Sequence, residues 1–291
     1  MACILAVGIA TLDIVNRVPA YPPEDSELRA LDQRLARGGN ATNSLVVLAR
    51  LGHRCRWAGV LGDGPEAGLI EADLAAHGVE TRDCRRLAGR RMPTSCILLS
   101  AASGSRSIVH YRDLPEYRSE DFARIDLAGC DWLHFEGRAP EETGAMLADA
   151  RRRAPSVPRS LEIEKPRPGI EALFGEAELL IVSRAFAEAR GLGSARALLQ
   201  RLREGCPSAD LVCAWGAAGA AAWPRGGDYL WVDACRPPRV LDTLGAGDVF
   251  NAGLIDARLR GLDWPAALAA ATRLAGEKCG RIGFDGLGRG A

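Results

Sequence analysis

A three-layer α/β sandwich with a mostly parallel central sheet and a small separate β-sheet is the fold the sequence predicts. Three observations predict it. Short apolar runs alternate with longer amphipathic stretches over most of the 291 residues. The short runs are nearly continuous in apolar residues, as in strands covered on both faces by helices. Two regions, at about 14–37 and 94–112, break that rhythm with scattered charges and a hairpin pattern.

The first expected strand is 4–8. The opening Met1-Ala-Cys-Ile-Leu-Ala-Val-Gly has no basic leader pattern, and its apolar run is far too short to cross a bilayer. Further strands are expected at 56–61, 132–136, 160–163, 179–183 and 211–215. Amphipathic periodicity predicts helices at 42–51, 66–77, 141–153 and 195–203, and two more at 246–261 and 264–279. In 14–37, Leu28, Leu31 and Leu35 sit among charges. In 94–112, the runs 95–100 and 107–111 flank Ala-Ala-Ser-Gly-Ser-Arg, which predicts a hairpin with a glycine turn. These two insertions would build the small sheet, so 1–291 reads as one domain without a linker. The glycine-rich tail, Gly286 to Ala291, is expected to be poorly ordered.

Composition bounds the function. The chain is 47% hydrophobic, enough for one large core, and 37 basic residues balance 37 acidic ones. That balance lacks the basic footprint of a nucleic-acid binder, and Arg151 to Arg153 read as a solvated helix end. Nine scattered cysteines without Cys-x-x-Cys spacing fit reduced thiols in a cytoplasmic protein.

Two motifs carry chemistry. In Asp242-Thr-Leu-Gly-Ala-Gly-Asp248, glycines just before a helix let backbone N–H groups approach a ligand, and the helix dipole favours an anion there. Asp248 would face that anion as a base that takes a hydroxyl proton during phosphoryl transfer. The competing reading is a glycine turn with a capping Asp, which the length of the string disfavours. In Arg37-Gly-Gly-Asn40-Ala-Thr-Asn43, Asn40 and Asn43 lie one turn apart. Carboxamides that donate and accept suit sugar hydroxyls, although Asn40 alone could be an N-cap. Asp13, after the first strand, could accept from two more hydroxyls or be an ordinary loop residue.

The Gly38-Gly39-Asn40 opening and the Asp242 to Asp248 string, in this order and separation, resemble the two signature regions of the ribokinase-like carbohydrate kinases. Within that family the chain is most similar to the ketohexokinase branch. The similarity rests on Tyr21-Pro-Pro-Glu-Asp-Ser-Glu-Leu-Arg, Glu136-Gly-Arg138, Glu162-Ile-Glu-Lys-Pro-Arg167, Leu211-Val-Cys-Ala-Trp-Gly and Lys278-Cys-Gly-Arg-Ile-Gly-Phe-Asp-Gly286. It runs from the first strand to Gly286. The resemblance implies a ribokinase-like sandwich with the small sheet as a lid, and phosphoryl transfer from MgATP to the C1 hydroxyl of a ketohexose such as D-fructose. It implies that Asp13, Gly39, Asn40, Asn43 and Asp248 form the sugar site and that Gly245, Ala246 and Gly247 supply the anion hole. It also places Arg106, Ala214, Trp215, Gly216, Gly219, Phe250, Asn251 and Cys279 along the nucleotide. For Arg106 a plain hairpin charge, and for Trp215 and Phe250 core packing, are the competing readings. Asp25 and Glu27 would reach a neighbouring subunit's site in a homodimer joined through the lid; a solvated acidic loop is the alternative.

One departure stands out. Many relatives carry Asn-x-x-Glu after the strand ending at Ser183, where this chain reads Ser183-Arg-Ala-Phe186. Ketohexokinases lack it too, so the magnesium ligands stay unassigned, with Mg²⁺ expected on phosphate and water. A potassium site near Asp242, Thr243 and the 279–285 loop is implied by the resemblance alone. Three other functions stay open: a kinase for ribose, tagatose or a keto-deoxy acid, a nucleoside kinase, and a sugar sensor without catalysis. The second is disfavoured because 5% aromatic residues leave few rings to stack on a base. The third is disfavoured because the base and the glycine loop are both present.

Overall fold

The computed structural model describes residues 1–288. Its nine-stranded sheet runs, edge to edge, through Val79–Glu80, Arg54–Ala58, Cys3–Val7, Trp132–Glu136, Arg159–Ile163, Leu179–Ser183, Asp210–Ala214, Gly219–Trp223 and Leu230–Asp233. The first seven pair in parallel; Gly219–Trp223 is antiparallel to both of its neighbours, so Leu230–Asp233 points the same way as the seven. Four of the parallel strands, beginning with Cys3–Val7 and Trp132–Glu136, are buried at every position or at all but the last residue. This is why Cys3–Val7 and Leu179–Ser183 read as nearly continuous apolar runs, while Trp132–Glu136 and Arg159–Ile163 carry polar side chains into the buried layer. Each fully buried Leu, Ile or Phe side chain in this core contributes about 1.5–3 kcal/mol.

The chain leaves Cys3–Val7 in one direction, towards Arg54–Ala58, and later resumes on its other side at Trp132–Glu136. The strand order therefore reverses between these two neighbours. In open parallel sheets, ligands bind outside the carboxyl ends of the strands at such a reversal. Gly8 and Glu136 stand at that point.

A separate four-stranded sheet has the order Asp32–Gly38, Thr11–Val18, Thr94–Ser100, Arg106–Tyr111. The expected hairpin is present, with Thr94 opposite Tyr111 and Leu99 opposite Arg106. The first insertion begins earlier than its charge pattern suggests. Asp13 is not in a loop but inside the strand Thr11–Val18, opposite Ala36 and Ser95.

Other departures have local causes. The strand expected at 56–61 breaks at Gly59, where the Trp57 ring folds over the backbone and would lie 2.3 Å from any Cβ. The strands Gly219–Trp223 and Leu230–Asp233 escape a periodicity reading, because Gly-Ala-Ala-Ala-Trp has no alternation. The helices start or stop within two residues of expectation, and the first begins at Asn40. Of the tail, residues 289–291 lie outside the described residues. Leu287 within it is buried, so its expected disorder does not extend to that residue.

Candidate active site

Asp248 lies in the first turn of the helix Ala246–Leu259, which is buried from Asp248 through Ala257. The helix starts from Gly245 at φ 80°, and a Cβ there would lie 2.7 Å from the Phe284 ring. Both facts call for glycine. At Gly247 a Cβ would meet nothing within 4 Å, so open space lies over the helix start. The Ala246 N–H donates to the Thr243 carbonyl at 3.3 Å. Among the described residues, the Gly245 and Gly247 N–H groups have no internal acceptor. Two unused donors, a helix N-terminus and free space together suit a phosphoryl group.

Asp248 is buried, and burial raises its pKa to about 8. The charges of Glu136 and Glu164 act in the same direction. The Asn43 hydrogen bond and the Arg37 charge oppose them. Asn43 Nδ2 donates to Asp248 Oδ2 at 2.6 Å. Asn43 Oδ1 in turn accepts from Arg37 Nη1 at 2.6 Å, which fixes which way the carboxamide faces. Arg37 is anchored behind by Asp73, at 2.5 Å from its Nε. Ser44 Oγ donates to the Asp248 carbonyl at 3.1 Å, so the first turns of two helices are locked together.

The other expected sugar-site residues gather beside this pair. Gly39 opens the helix Asn40–Arg50 at φ 106°, and a Cβ there would lie 2.1 Å from the Ile9 carbonyl oxygen. Asp13 accepts from Thr11 Oγ1 at 2.8 Å and lies so close to Gly38 that a Cβ would come within 2.2 Å of its carboxylate. The Arg37 charge acts on both Asp13 and Asp248. Asn40 Nδ2 donates to Glu162 Oε1 at 3.2 Å and approaches Glu164 Oε2 at 3.5 Å.

Two of these neighbours, Glu136 and Glu162, received no role from the sequence. Glu136 Oε1 accepts from the N–H groups of Ala41, at 2.6 Å, and Ile9, at 3.2 Å. It thereby joins the end of the first strand to the Asn40 helix at the reversal point. Burial lifts its pKa to about 7, with Arg138 opposing. Glu162 is raised by burial and by the neighbouring Asp248 and Glu136 charges, and its Oε2 is buried without a partner. The missed signal was an acidic residue at or near the carboxyl end of a parallel strand covered on both faces, which burial would penalise without a purpose.

The nucleotide-side residues are more dispersed. Arg106 Nη1 donates to Thr243 Oγ1 at 3.2 Å, so the hairpin touches the segment that leads into the glycine loop. A cavity of about 380 Å³ lies between the small sheet, with Arg17, Arg34 and Ser100, and the segment through Leu241 to Thr243. Past Ala214 the chain turns tightly, with Trp215 N–H on the Gly219 carbonyl at 2.7 Å and positive φ at Gly216 and Gly219. Trp215 is partly covered, with the Arg184 guanidinium 5.6 Å from its ring centre. Phe250 is buried in the core, and Asn251 is buried with Nδ2 unpartnered. The Cys279 carbonyl accepts from Leu241 N–H at 2.8 Å, at the foot of the same cavity wall. Asp25 and Glu27 stand exposed on the loop between the strands Thr11–Val18 and Asp32–Gly38, and neither bonds to the Asp248 cluster.

For the ions, the structure gives two different answers. Among the described residues, no three His, Cys, Asp or Glu side chains gather as a metal site. Ser183 caps the helix Arg184–Ala189 and donates to the Glu164 carbonyl, so it serves structure where relatives place Asn-x-x-Glu. The expectation of a magnesium ion held by phosphate and water rests on the family and not on these side chains. The potassium site expected near Asp242 does not fit, because the Asp242 carbonyl oxygen and Oδ2 already face the buried ammonium of Lys278.

Among the described residues, no helix is long and apolar enough to cross a membrane. The family model described as "pfkB family carbohydrate kinase" matches residues 1–286. The ketohexokinase of Mus musculus is 41% identical over 295 residues, covering 98% of each chain. The ribokinase of Bacillus subtilis (strain 168) is 24% identical over 300 residues, covering 98% of this chain and 96% of its own. The structure of Arabidopsis thaliana ribokinase complexed with ribose and ATP superposes with a TM-score of 0.78 at 18% identity, covering 97% of this chain and 94% of that one. A match over nearly the whole length, on a fold that brings both glycine motifs to one strand-end crevice, places the chain in the pfkB family of carbohydrate kinases.

Proposed function

We propose that this kinase transfers the γ-phosphoryl group of MgATP to the C1 primary hydroxyl of D-fructose or a closely related ketohexose. The observation that carries the reading is the Asp248 carboxylate, buried at a helix start beside two unengaged glycine N–H groups and held by Asn43. The identity of 41% to a ketohexokinase supports the choice of sugar.

In this reading the sugar lies over Asp13, Asn40 and Asn43, whose carboxylate and carboxamides match its hydroxyls. Asp248 accepts the C1 hydroxyl proton as that oxygen attacks the γ-phosphorus, and the bond to the ADP oxygen breaks. The Gly245 and Gly247 N–H groups face the equatorial oxygens, where charge accumulates, and Ala246 adds to them if its bond to Thr243 yields. Magnesium bound to the phosphates supplies further charge neutralisation. Glu136 holds the first strand and the Asn40 helix in register, and Arg37 keeps the Asn43 carboxamide turned towards the base.

Ala214, Trp215, Gly216 and Gly219 flank the ATP, with Asn251 and Cys279 nearer the adenine and Phe250 supporting them from the core. Arg106 bridges from the small sheet, which acts as a lid that excludes water. The exposed apolar side chains of that sheet, Leu35, Ile108, Val109 and Tyr111, support pairing of two lids in a homodimer. Asp25 and Glu27 would then reach the neighbouring site. Nine free thiols are consistent with action in the cytoplasm. No potassium ion belongs to this reading.

An ADP-release assay across a sugar panel tests it. D-Fructose is expected to give the highest kcat/KM, with the product phosphate on C1 by phosphorus–proton NMR coupling. Preference for an aldose, or a phosphate on another carbon, would replace the ketohexose. Sugar binding without any turnover would remove the catalytic reading.

A further inference from the structure

Lys278 is one of only two lysines in the chain, and its side chain is completely buried near the end of the last helix. Its Nζ lies 2.9 Å from the Asp242 carbonyl oxygen, 3.1 Å from Asp242 Oδ2 and 3.5 Å from the Arg281 carbonyl. The Phe284 ring closes another side, with its centre 5.7 Å away. Backbone carbonyls, a carboxylate oxygen and an aromatic face make the surroundings of a desolvated monovalent cation. Here that cation is tethered to the chain.

What surrounds Lys278 leads directly to the glycine loop. Asp242 Oδ1 accepts from the Leu244 N–H at 2.9 Å and so sets the turn before Gly245. Its Oδ2 also receives Arg34 from the small sheet at 2.9 Å and the Gly283 N–H at 3.2 Å. Phe284 packs against Gly245 on the other side. The ammonium therefore underlies both walls that position the Gly245 N–H, and it joins the last helix to the small sheet through one carboxylate.

We propose that Lys278 is a built-in monovalent cation that positions the glycine loop, so that this kinase needs no bound potassium to organise its anion hole. The proposal rests on the sugar-kinase reading for its kinetic consequence but not for its ion-binding consequence. Lys278 acts through Asp242 and Phe284, and is a positioning residue.

The test compares the wild-type chain in potassium, sodium and tetramethylammonium chlorides at equal ionic strength. Melting temperatures are expected to agree within about 1 °C and kcat/KM within about 2-fold, because no ion binds selectively to the folded state. Lys278→Ala is expected to lose about 100-fold in kcat, and potassium or ammonium, but not tetramethylammonium, should restore about 10-fold by entering the vacated oxygen set. Selective stabilisation or activation of the wild type by potassium would overturn the proposal. So would a Lys278→Ala chain that keeps full turnover, or one that is folded by circular dichroism but gains nothing from either ion. If the variant does not fold, the wild-type melting comparison decides. An absence of turnover with every sugar and every salt, with melting still independent of the cation, would remove the kinase reading and leave the cation assignment standing.

Discussion

Asn43 Nδ2 meets Asp248 Oδ2 across 2.6 Å and so joins the first turns of two helices 205 residues apart in sequence. It is also the polar contact that most lowers the pKa of the buried carboxyl group. Replacing Asn43 with Ala removes that donor and leaves Arg37 without its Oδ1 acceptor. The limb of the pH–rate profile governed by Asp248 is expected to move to higher pH, with kcat/KM at pH 7 reduced about 10-fold or more. Initial rates of the variant across pH 6–10 check this, and an unmoved limb would detach Asn43 from the base.

Asp248→Asn is expected to lower kcat by about 100- to 10,000-fold while ATP binding, read by calorimetry, changes little. In the wild type, kcat/KM should rise with pH towards a plateau above about 8, since only the ionised carboxylate accepts a proton. Near-normal turnover in the Asn variant would defeat the assignment.

The same shift has a consequence for stability. The unfolded Asp248 titrates near 3.8 and the folded one near 8, so between those values the native state holds the extra proton. Stability therefore falls as pH rises through that window. Asp248→Asn has no such slope at this position. Its melting temperature should match the wild type near pH 4 and exceed it at pH 8.5. Parallel melting curves for the two proteins over this range would contradict the raised pKa.

Gly245 and Gly247 separate backbone strain from access to the ligand. Gly245→Ala places a Cβ in the left-handed region and against the Phe284 ring, and should cost about 1–3 kcal/mol of stability. Gly247→Ala meets open space inside a helix and should raise stability by about 0.5–1 kcal/mol. It should still lower kcat, because its methyl group enters the space proposed for phosphate. Denaturant titration and steady-state kinetics on both variants give the four numbers needed.

Arg106 is exposed, and its side-chain hydrogen bond among the described residues goes to Thr243. Arg106→Ala should leave the melting temperature unchanged within error while raising the KM for ATP, the sugar or both. For the proposed dimer, Val109→Asp puts a charge on the exposed face of the small sheet. It should convert a dimer to a monomer by light scattering; a monomeric wild type would remove the dimer.

Much of this architecture was legible because burial leaves a plain pattern. The strands Cys3–Val7 and Leu179–Ser183 are covered on both sides and read as unbroken apolar runs. Rarity made the two glycine motifs legible, and Asn43 from one meets Asp248 from the other in a hydrogen bond. What stayed hidden depends on distant contacts. Glu136 and Glu162 gain meaning only when strand ends meet Ala41 and Asn40. Lys278 looks like a helix-end charge until the fold closes over it. Asp13 was placed in a loop because its strand pairs with segments about 25 and 80 residues downstream, which no local window contains.

The strand Asp32–Gly38 passes into the helix Asn40–Arg50 through Gly39 alone. One end of this continuous segment belongs to the small sheet, with Asp13 paired alongside, and the other carries Asn40 and Asn43 on the large sheet. A tilt of the small sheet about Gly39 would shift Asp13 relative to Asn43 and Asp248. Acceptor recognition and shutting of the cleft would then be a single hinge event, and a water molecule, too small to bridge both sheets, could not trigger it.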